Sequence, residues 1–260
     1  MRALVTGGAG FIGTNLIKRL LADGYEVVSV DNYITGEEEN HQEGCQYNYF
    51  DISSKHTIGI YIDAGSYPSW RDNEYDIIFH LAALPRIQPS FEDPVRTFDF
   101  NVVATLNILE LARKSGTPVV YAGSSSFHGD KCANPYTFTK WQGEELVKMY
   151  NSIYKVPTTI CRFYNVYGPH QLTKGKYCTL IGIFESQYKY GQPLTITGDG
   201  EQRRDFTHVD DIVDGLVLAS GDNSGETFEL GRGKNYSVNE IAEAFGKPVE
   251  YIDERPGEMR

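Results

Sequence analysis

The chain begins with a short apolar segment that runs into three regularly spaced glycines. Residues 3–5 are apolar, Gly7, Gly10 and Gly13 follow at intervals of three, and apolar residues recur at helical spacing over 14–21. A buried strand, a glycine turn and a helix are typical of a dinucleotide-binding unit, because the pyrophosphate can approach the turn and rest on the helix N-terminus. An ordinary β-to-α turn can carry the same triplet, so the residues after the turn must decide between the two. We expect Gly7, Gly10, Phe11 and Ile12 to contact the cofactor.

Acidic residues follow the next two predicted strands. The strand over 26–30 ends at Asp31 and Asn32. An acidic residue at this distance from the glycines can hydrogen-bond a ribose 2′-hydroxyl and repels a 2′-phosphate, so we expect NAD rather than NADP. The alternative is that Asp31 only begins a turn. A further strand over 47–50 ends at Asp51 and Ile52, where the adenine amino group is expected to find an acceptor.

Strand and helix patterns alternate along most of the chain. They predict strands at 76–79, 118–122 and 157–162 and helices at 94–114, 135–154 and 177–190. After residue 191 only short strands, at 193–197, 226–230 and 248–252, and short helices, at 209–220 and 238–245, are predicted. The fold class is therefore α/β, a Rossmann-like doubly wound parallel sheet with a small C-terminal substrate-binding lobe. We expect an NAD-binding domain over 1–165 and, over 166–260, mainly a substrate lobe that is interleaved with the first domain and either minimal or truncated at its end.

The helix at 94–114 is expected to bury one apolar side. Its apolar residues at helical spacing are Val95, Phe98, Val102, Leu106, Leu109 and Leu111.

Charge and composition exclude several classes of partner. The 260 residues carry a net charge of −11, which argues against a nucleic-acid surface. No run of 18 apolar residues is present, so we expect no transmembrane helix, and the chain starts with a core strand rather than a signal peptide. The cysteines, none in a C-x-x-C pair, are Cys45, Cys132, Cys161 and Cys178. They predict reduced thiols in a cytoplasmic protein, with no disulfide and no metal site.

A serine run and a tyrosine–lysine pair follow the strand at 118–122. Ser124, Ser125 and Ser126 come at the end of that strand, and Tyr136 and Lys140 lie four residues apart on one face of the next helix. An ammonium group favours the phenolate form of a neighbouring tyrosine, and an oxidised nicotinamide would add positive charge. Tyr136 can therefore act as the base for an alcohol proton. A surface helix pair is the alternative, and the adjoining serines at a strand end disfavour it.

Seven motifs in order resemble the extended short-chain dehydrogenase/reductases, and more narrowly the NAD-dependent nucleotide-sugar epimerase/dehydratase group. The motifs are the glycine turn over 6–13, residues 31–32, HLAA at 80–83, Ser124, Tyr136 with Lys140, RFYNVYGP at 162–169, and RDF at 204–206 with Asp210 and Asp211. The resemblance covers nearly the whole chain. It implies a tightly held NAD and a nucleotide-diphosphate sugar as substrate.

The resemblance also implies residue roles. Tyr136 is the base, Lys140 orients the nicotinamide ribose and tunes Tyr136, and Ser124 binds the sugar hydroxyl. Beside the cofactor we expect Leu81, Ala82, Ala83, Tyr164 and Val166, in addition to the residues already named. For the substrate we expect Ser125 and Ser126 in the sugar pocket, Asn165, Arg204 and Arg255 at the diphosphate, Glu258 at the nucleoside ribose, and Arg86 in the same crevice.

The residues after Ser124 decide which reaction is expected. The group's 4,6-dehydratases usually carry acidic residues there, whereas this chain has Ser125 and Ser126, and serine is a poor acid or base near neutral pH. We therefore expect epimerisation at C4 of a UDP- or GDP-hexose through a transient 4-keto sugar. The alternatives are a 4,6-dehydratase, a 4-ketoreductase that consumes NAD(P)H, and a non-catalytic NAD-binding sensor.

Two further expectations come from comparison with the group. Phe127-His128-Gly129 replaces the usual apolar residue, tyrosine and glycine, so His128 is either a surface substitution or a second proton donor. The helices at 94–114 and 135–154 are expected to form a four-helix bundle with those of a second copy, which gives a homodimer.

Overall fold

A computed structural model of the protein describes residues 1–54, 70, 74–222 and 224–255. Its main feature is a seven-stranded sheet in which all neighbouring strands are parallel. The strands of this sheet are β1 Arg2–Thr6, β2 Glu26–Asp31, β3 Cys45–Tyr49, β4 Ile77–His80, β5 Val119–Ser124, β6 Thr158–Phe163 and β11 Thr227–Leu230. Their order is β11-β6-β5-β4-β1-β2-β3. The direction of winding reverses between β1 and β4, and this is where open α/β sheets bind ligands.

Helices cover both faces of the sheet. They are α1 Phe11–Ala22, α2 Ile87–Glu92, α3 Pro94–Phe98, α4 Ala104–Ser115, α5 Pro135–Tyr154, α6 Leu180–Lys189, α7 Val209–Ala219 and α8 Val238–Phe245. Short 3₁₀ segments lie at Glu38–Asn40 and Ser125–His128. The α1 and α7 helices pack together on one face, and α4 and α5 pack together on the other.

Alternation along the buried strands builds two cores. Leu4 faces the side covered by α4 and α5, together with Ile108 and Val147. Its neighbour Val5 faces α1 and α7, where it packs with Leu16. Successive strand residues point to opposite faces, so strands covered on both sides read as continuous apolar runs. The predicted fold class is confirmed.

The helix predicted over 94–114 is not a single α-helix with one buried apolar side. A π-helical turn at Asp99–Val103 separates α3 from α4. The wider turn rotates the helix face, so Val95 is 71% exposed and Phe98 is 39% exposed, whereas Leu109 is buried. The buried side of the first half carries Thr97 and Asn101 instead. The predicted helical extent is confirmed, because helical turns run from Pro94 to Ser115. The predicted buried side was wrong, because apolar spacing assumes an uninterrupted period of 3.6 residues.

The C-terminal part of the chain contributes to both the sheet and a smaller lobe. The predicted strand at 226–230 pairs with β6 as β11 and so extends the large sheet. The lobe contains β8 Leu194–Thr197 paired with β13 Val249–Ile252, and β9 Arg203–Asp205 paired with β12 Asn235–Ser237. Its core consists of Phe184, Leu194, Ile196, Val238 and Ala242. A two-stranded link, β7 Val166–Tyr167 with β10 Thr207–His208, lies between sheet and lobe.

Candidate active site

A cleft of about 1330 Å³ lies at the carboxyl ends of the sheet strands and extends to the lobe. Most of the sequence-predicted site residues gather in it. Those that line it are Gly7, Gly10, Phe11, Ile12, Asp31, Asn32, Ile52, Leu81, Ala82, Ala83, Arg86, Ser124, Ser125, Ser126, Tyr136, Lys140, Tyr164, Asn165, Val166, Arg204 and Arg255.

The glycine turn at the end of β1 has the geometry of a phosphate cradle. Gly7 has φ +72°, and a Cβ atom there would lie 2.9 Å from the Ala82 Cα. A Cβ atom on Gly13 would clash with the Gly7 carbonyl oxygen. The helix can therefore approach the strand this closely only because residue 13 is a glycine. The amides of Phe11 and Ile12 open α1, and no side chain caps this helix end. Within the described chain these donors are left for an anionic ligand.

Asp31 places a buried carboxylate beside this turn. One carboxylate oxygen accepts the Ala9 amide at 2.9 Å, and the other accepts the Tyr33 amide at 2.8 Å. Burial raises the pKa of this carboxyl group, while the backbone hydrogen bonds oppose the rise. Each oxygen keeps a second lone pair for a ribose hydroxyl. The open amides, the glycine cradle and this carboxylate fit an NAD molecule, which supplies a hydride acceptor when bound.

The adenine end of the cleft includes only one of the two residues predicted from β3. Ile52 lines the cleft, and Asp51 does not. The Asp51 carboxylate accepts hydrogen bonds from the amide and hydroxyl of Ser53, at 2.9 and 2.6 Å. Its role at the adenine therefore stays a prediction.

Ser124 and Tyr136 meet at the centre of the cleft. The Tyr136 hydroxyl donates to the Ser124 Oγ at 3.3 Å. The same Oγ accepts the Ser126 amide at 3.2 Å and the Ser126 hydroxyl at 3.0 Å. Ser124 ends β5 and Tyr136 lies in the first turn of α5, after the Asn134 side chain caps that helix. The strand end and the helix cap thus bring the side chains of Ser124 and Tyr136 together.

Lys140 lies one helical turn beyond Tyr136 and is buried. Its Nζ donates to the Ala122 carbonyl at 2.5 Å and lies 4.6 Å from the Tyr121 ring centroid. Burial lowers the pKa of Lys140 to about 8, and the Glu144 carboxylate opposes this shift. The ammonium group is therefore held where it can act on Tyr136 and on a ribose.

A buried ion network behind Lys140 was not predicted from the sequence. Glu144, one turn after Lys140, is fully buried and accepts hydrogen bonds from the Arg162 guanidinium at 2.8 to 3.2 Å. Arg162 also donates to Glu229 of β11 at 2.7 Å, and its guanidinium lies over the Phe127 ring. The i, i+4 spacing of Lys140 and Glu144 places both on one face of α5, and this much can be predicted from the sequence. The other members of the network, Arg162 and Glu229, lie on strands that are distant in the sequence.

His128 joins the edge of this network. Its Nε2 lies 3.0 Å from Glu229, which also accepts the Tyr164 hydroxyl at 3.0 Å. His128 lines the cleft and is half exposed. Its role, as a surface substitution or a second proton donor, stays a prediction.

Arginines gather on the lobe side of the cleft. Arg203, Arg204 and Arg255 all line it, and Arg203 is also held by Asn235 and Glu240, at 2.8 and 2.9 Å. Asn165 donates to the Asp205 carbonyl at 3.1 Å, which joins the two loops that border the cleft. Glu258 lies outside the described residues.

Further findings concern the chain as a whole. All four cysteines are free thiols. Within the described ranges, no helix has the length and apolar character needed to cross a bilayer.

The fold and cleft define a dinucleotide-binding α/β protein with a serine–tyrosine–lysine site, the arrangement of an extended short-chain dehydrogenase/reductase. The chain belongs to the NAD dependent epimerase/dehydratase family, whose model matches residues 3–231. It is an NAD-dependent nucleotide-sugar epimerase of that type, as the sequence predicted.

Known proteins similar to this chain include enzymes named as epimerases, as UDP-glucuronic acid decarboxylases and as a dTDP-glucose 4,6-dehydratase. A UDP-glucose 4-epimerase of Mycolicibacterium smegmatis is 34% identical over an alignment of 282 positions, gaps included. The alignment covers 100% of this chain and 88% of the relative. The crystal structure of a Thermotoga maritima UDP-glucose 4-epimerase with UDP-glucose matches with a TM-score of 0.91 and 28% identity, covering 100% and 88% of the two chains. A Bacillus cereus UDP-glucuronic acid 4-epimerase in complex with UDP-glucuronic acid and NAD gives 0.84 and 28%, covering 99% and 88%.

Proposed function

We propose that the protein inverts C4 of a nucleotide-diphosphate hexose through a transient 4-keto sugar. The observation that carries this proposal is the hydrogen bond between Tyr136 and Ser124 at 3.3 Å, beside a lysine buried in the same cleft. Relatives named UDP-glucose 4-epimerase support the position of the reaction and a UDP-linked substrate.

Each residue of the site has a chemical task in this proposal. Tyr136, as phenolate, takes the proton of the sugar C4 hydroxyl and later returns it. Ser124 donates to the same oxygen and holds it beside Tyr136. Lys140 keeps positive charge close to the phenolate and binds the nicotinamide ribose. NAD, which the glycine turn and Asp31 would hold, would supply the acceptor and donor of the C4 hydride.

The diphosphate fits the charge of the lobe side of the cleft. Arg204 and Arg255 line the cleft there, although the protein as a whole carries a net charge of −11. A local group of cations can attract a dianion against the global field. We therefore assign Arg204 and Arg255 to the diphosphate, with Asn165 beside it.

Dehydration is less well supported than epimerisation. Loss of water from C6 needs an acid and a base near C5 and C6, and the residues after Ser124 are Ser125 and Ser126. Carboxylates lining the described part of the cleft are Asp31 beside the glycine turn and Asp205, which accepts the amides of Arg232 and Gly233. Neither carboxylate lies in the serine run at the end of β5, where the dehydratases of the group carry their acidic residues.

We also propose that the protein is a cytoplasmic homodimer. Exposed apolar side chains cluster on α2, α3 and α5, which suits burial against the same helices of a second copy. They are Phe91, Val95, Phe98, Met149, Ile153 and Tyr154. The four free thiols suit a reducing compartment.

Product analysis by NMR tests the proposed reaction. Purified protein with NAD is given UDP-glucose, UDP-N-acetylglucosamine, UDP-glucuronic acid or GDP-mannose. The expected result is the C4 epimer of at least one substrate, with no net change in NADH absorbance. A 4-keto-6-deoxy product would favour the dehydratase, and stoichiometric consumption of added NAD(P)H would favour the ketoreductase.

A further inference from the structure

Arg86 occupies an unusual backbone position at the edge of the cleft. It lies between β4 and α2, with φ +89° and ψ +137°. Residues other than glycine rarely adopt this conformation, and strained residues cluster at ligand sites. A glycine would adopt this backbone conformation without strain.

The Arg86 guanidinium is only partly satisfied. Its Nε donates to the Tyr177 carbonyl at 3.1 Å. Within the described part of the chain, no carboxylate lies at ion-pair distance, whereas the buried Arg162 has both Glu144 and Glu229. Burial lowers the pKa of Arg86, as expected for a cation with no anionic partner. The terminal nitrogens are left for a group that enters the cleft.

Arg86 lies on the Tyr136 side of the cleft. Arg86 directly precedes α2, the Ser90 Oγ of α2 accepts the Tyr136 amide at 3.1 Å, and Arg86, Tyr136 and Cys178 all line the cleft. Burial raises the pKa of the Cys178 thiol, so this neighbour is uncharged near neutral pH. Arg204 and Arg255, which we assign to the diphosphate, belong to the lobe, whereas Arg86 belongs to the loop after β4.

We propose that the substrate is a nucleotide-linked hexuronic acid, and that Arg86 binds its C6 carboxylate through the two terminal guanidinium nitrogens. The inference rests on the proposed C4 chemistry, because Tyr136 then fixes C4 near Arg86, and C6 is attached to the adjacent ring carbon. A planar guanidinium fork matches a carboxylate in two parallel hydrogen bonds. A neutral hydroxymethyl group would leave the half-buried guanidinium without a counter-charge.

The ion pair also protects the intermediate. A 4-keto hexuronate is a β-keto acid, which loses CO₂ when the C5–C6 bond breaks and its electron pair moves toward the C4 carbonyl. Contact with Arg86 stabilises negative charge on the carboxylate, and that charge must leave it during the loss of CO₂. Retention of C6 in the product is therefore expected.

Binding and turnover of UDP-glucuronic acid and UDP-glucose test this proposal with the NAD-loaded protein. Calorimetry is expected to give at least about tenfold tighter binding of the acid, a difference typical of one charge-assisted contact. Arg86→Gln is expected to remove this preference and leave UDP-glucose binding within about twofold. Arg86→Lys keeps the charge without the fork and is expected to be intermediate. Arg96→Gln, on the exposed side of α3, is the control.

Arg86→Gly separates recognition from folding. Glycine relieves the backbone strain, so this variant is expected to melt no lower than wild type while it loses the preference for the acid. Equal binding of both sugars by wild type, or equal losses for both in Arg86→Gln, would overturn the role of Arg86.

Turnover distinguishes this inference from the proposed function. Epimerisation of neutral sugars alone would overturn the hexuronate and leave C4 epimerisation standing. Preferential binding of the acid that is lost in Arg86→Gln, but with release of CO₂ from the bound acid, would support the carboxylate site and overturn epimerisation.

Discussion

The Tyr136 hydroxyl donates to the Ser124 Oγ at 3.3 Å, although twelve residues separate the two along the chain. Ser124 is fixed by the end of a parallel strand, and Tyr136 is fixed by the capped start of a helix. Both elements belong to the rigid part of the fold, so the acid–base pair is preorganised before substrate enters. Changes to single side chains around this pair are therefore expected to alter its chemistry while the fold stays intact.

Glu144 is expected to set the alkaline limit of activity through Lys140. Its carboxylate opposes the lowering of the Lys140 pKa, which lies near 8. Glu144→Gln therefore makes Lys140 lose its proton at lower pH, and the falling limb of the kcat/KM profile moves toward acid. Activity at pH 8 is expected to fall roughly threefold. The control is Glu145→Gln, which removes an exposed carboxylate paired with Lys148; a profile unchanged in both variants would refute the coupling.

His80 is expected to make the fold sensitive to acid. It is buried between Thr6 and Thr105, at 2.7 and 3.0 Å, and burial lowers its pKa to about 3. The unfolded chain binds a proton below about pH 6.5 while the folded protein does not, so acidification from that pH favours unfolding. One such group contributes about 1.4 kcal/mol per pH unit.

Chemical denaturation between pH 6 and 4 measures how steeply the free energy of unfolding falls with pH. His80→Asn is expected to show a shallower loss of unfolding free energy per pH unit than wild type. His170→Asn, at an exposed position, is expected to keep the wild-type slope. Identical slopes in all three proteins would mean that His80 does not titrate on unfolding in this range.

Asp31 is expected to select NAD over NADP. Its buried carboxylate lies beside the cofactor turn and would repel a 2′-phosphate. Asp31→Ser removes that charge, and the ratio of NADP to NAD affinity is expected to rise roughly tenfold or more. Fluorescence titration of cofactor-free protein gives both dissociation constants. An unchanged ratio would contradict a role of Asp31 in cofactor selection and leave it only the role of holding the backbone amides of Ala9 and Tyr33.

The exposed apolar helix faces are expected to hold two copies together. Val95→Glu and Ile153→Glu place charge where Val95 is 71% and Ile153 is 64% exposed, and each is expected to give monomers in light scattering. Leu218→Glu, at an equally exposed apolar residue on α7, is the control and is expected to stay dimeric. A wild-type monomer at micromolar concentration would contradict the homodimer.

Local sequence signals were enough to predict residues that the structure brings together in one cleft. The glycine turn, the acidic residue after β2 and the pair Tyr136 and Lys140 each depend on a few neighbouring residues, so their spacing was enough to place them. The helix over 135–154 was predicted with its observed bounds, because Asn134 and Pro135 are strong start signals.

Features made by distant contacts could not be predicted in this way. The network of Glu144, Arg162 and Glu229 joins one helix and two strands, and no periodicity encodes it. The pairing of β11 with β6 could not be predicted either, because the residue pattern of a strand does not identify its neighbour in the sheet. Arg203 and Arg204 both line the cleft, and the contact of Arg203 with Glu240 joins residues that are 37 positions apart in the chain.

The most direct test of the central claim is single-turnover chemistry in Tyr136→Phe. This change removes only the hydroxyl that takes the C4 proton, and general acid–base groups contribute about 10²–10⁴-fold to rate. We expect turnover to fall by about that factor while NAD content stays at the wild-type level, with exposed Tyr188→Phe as the control at full activity. Unchanged turnover in Tyr136→Phe with bound NAD would contradict the account.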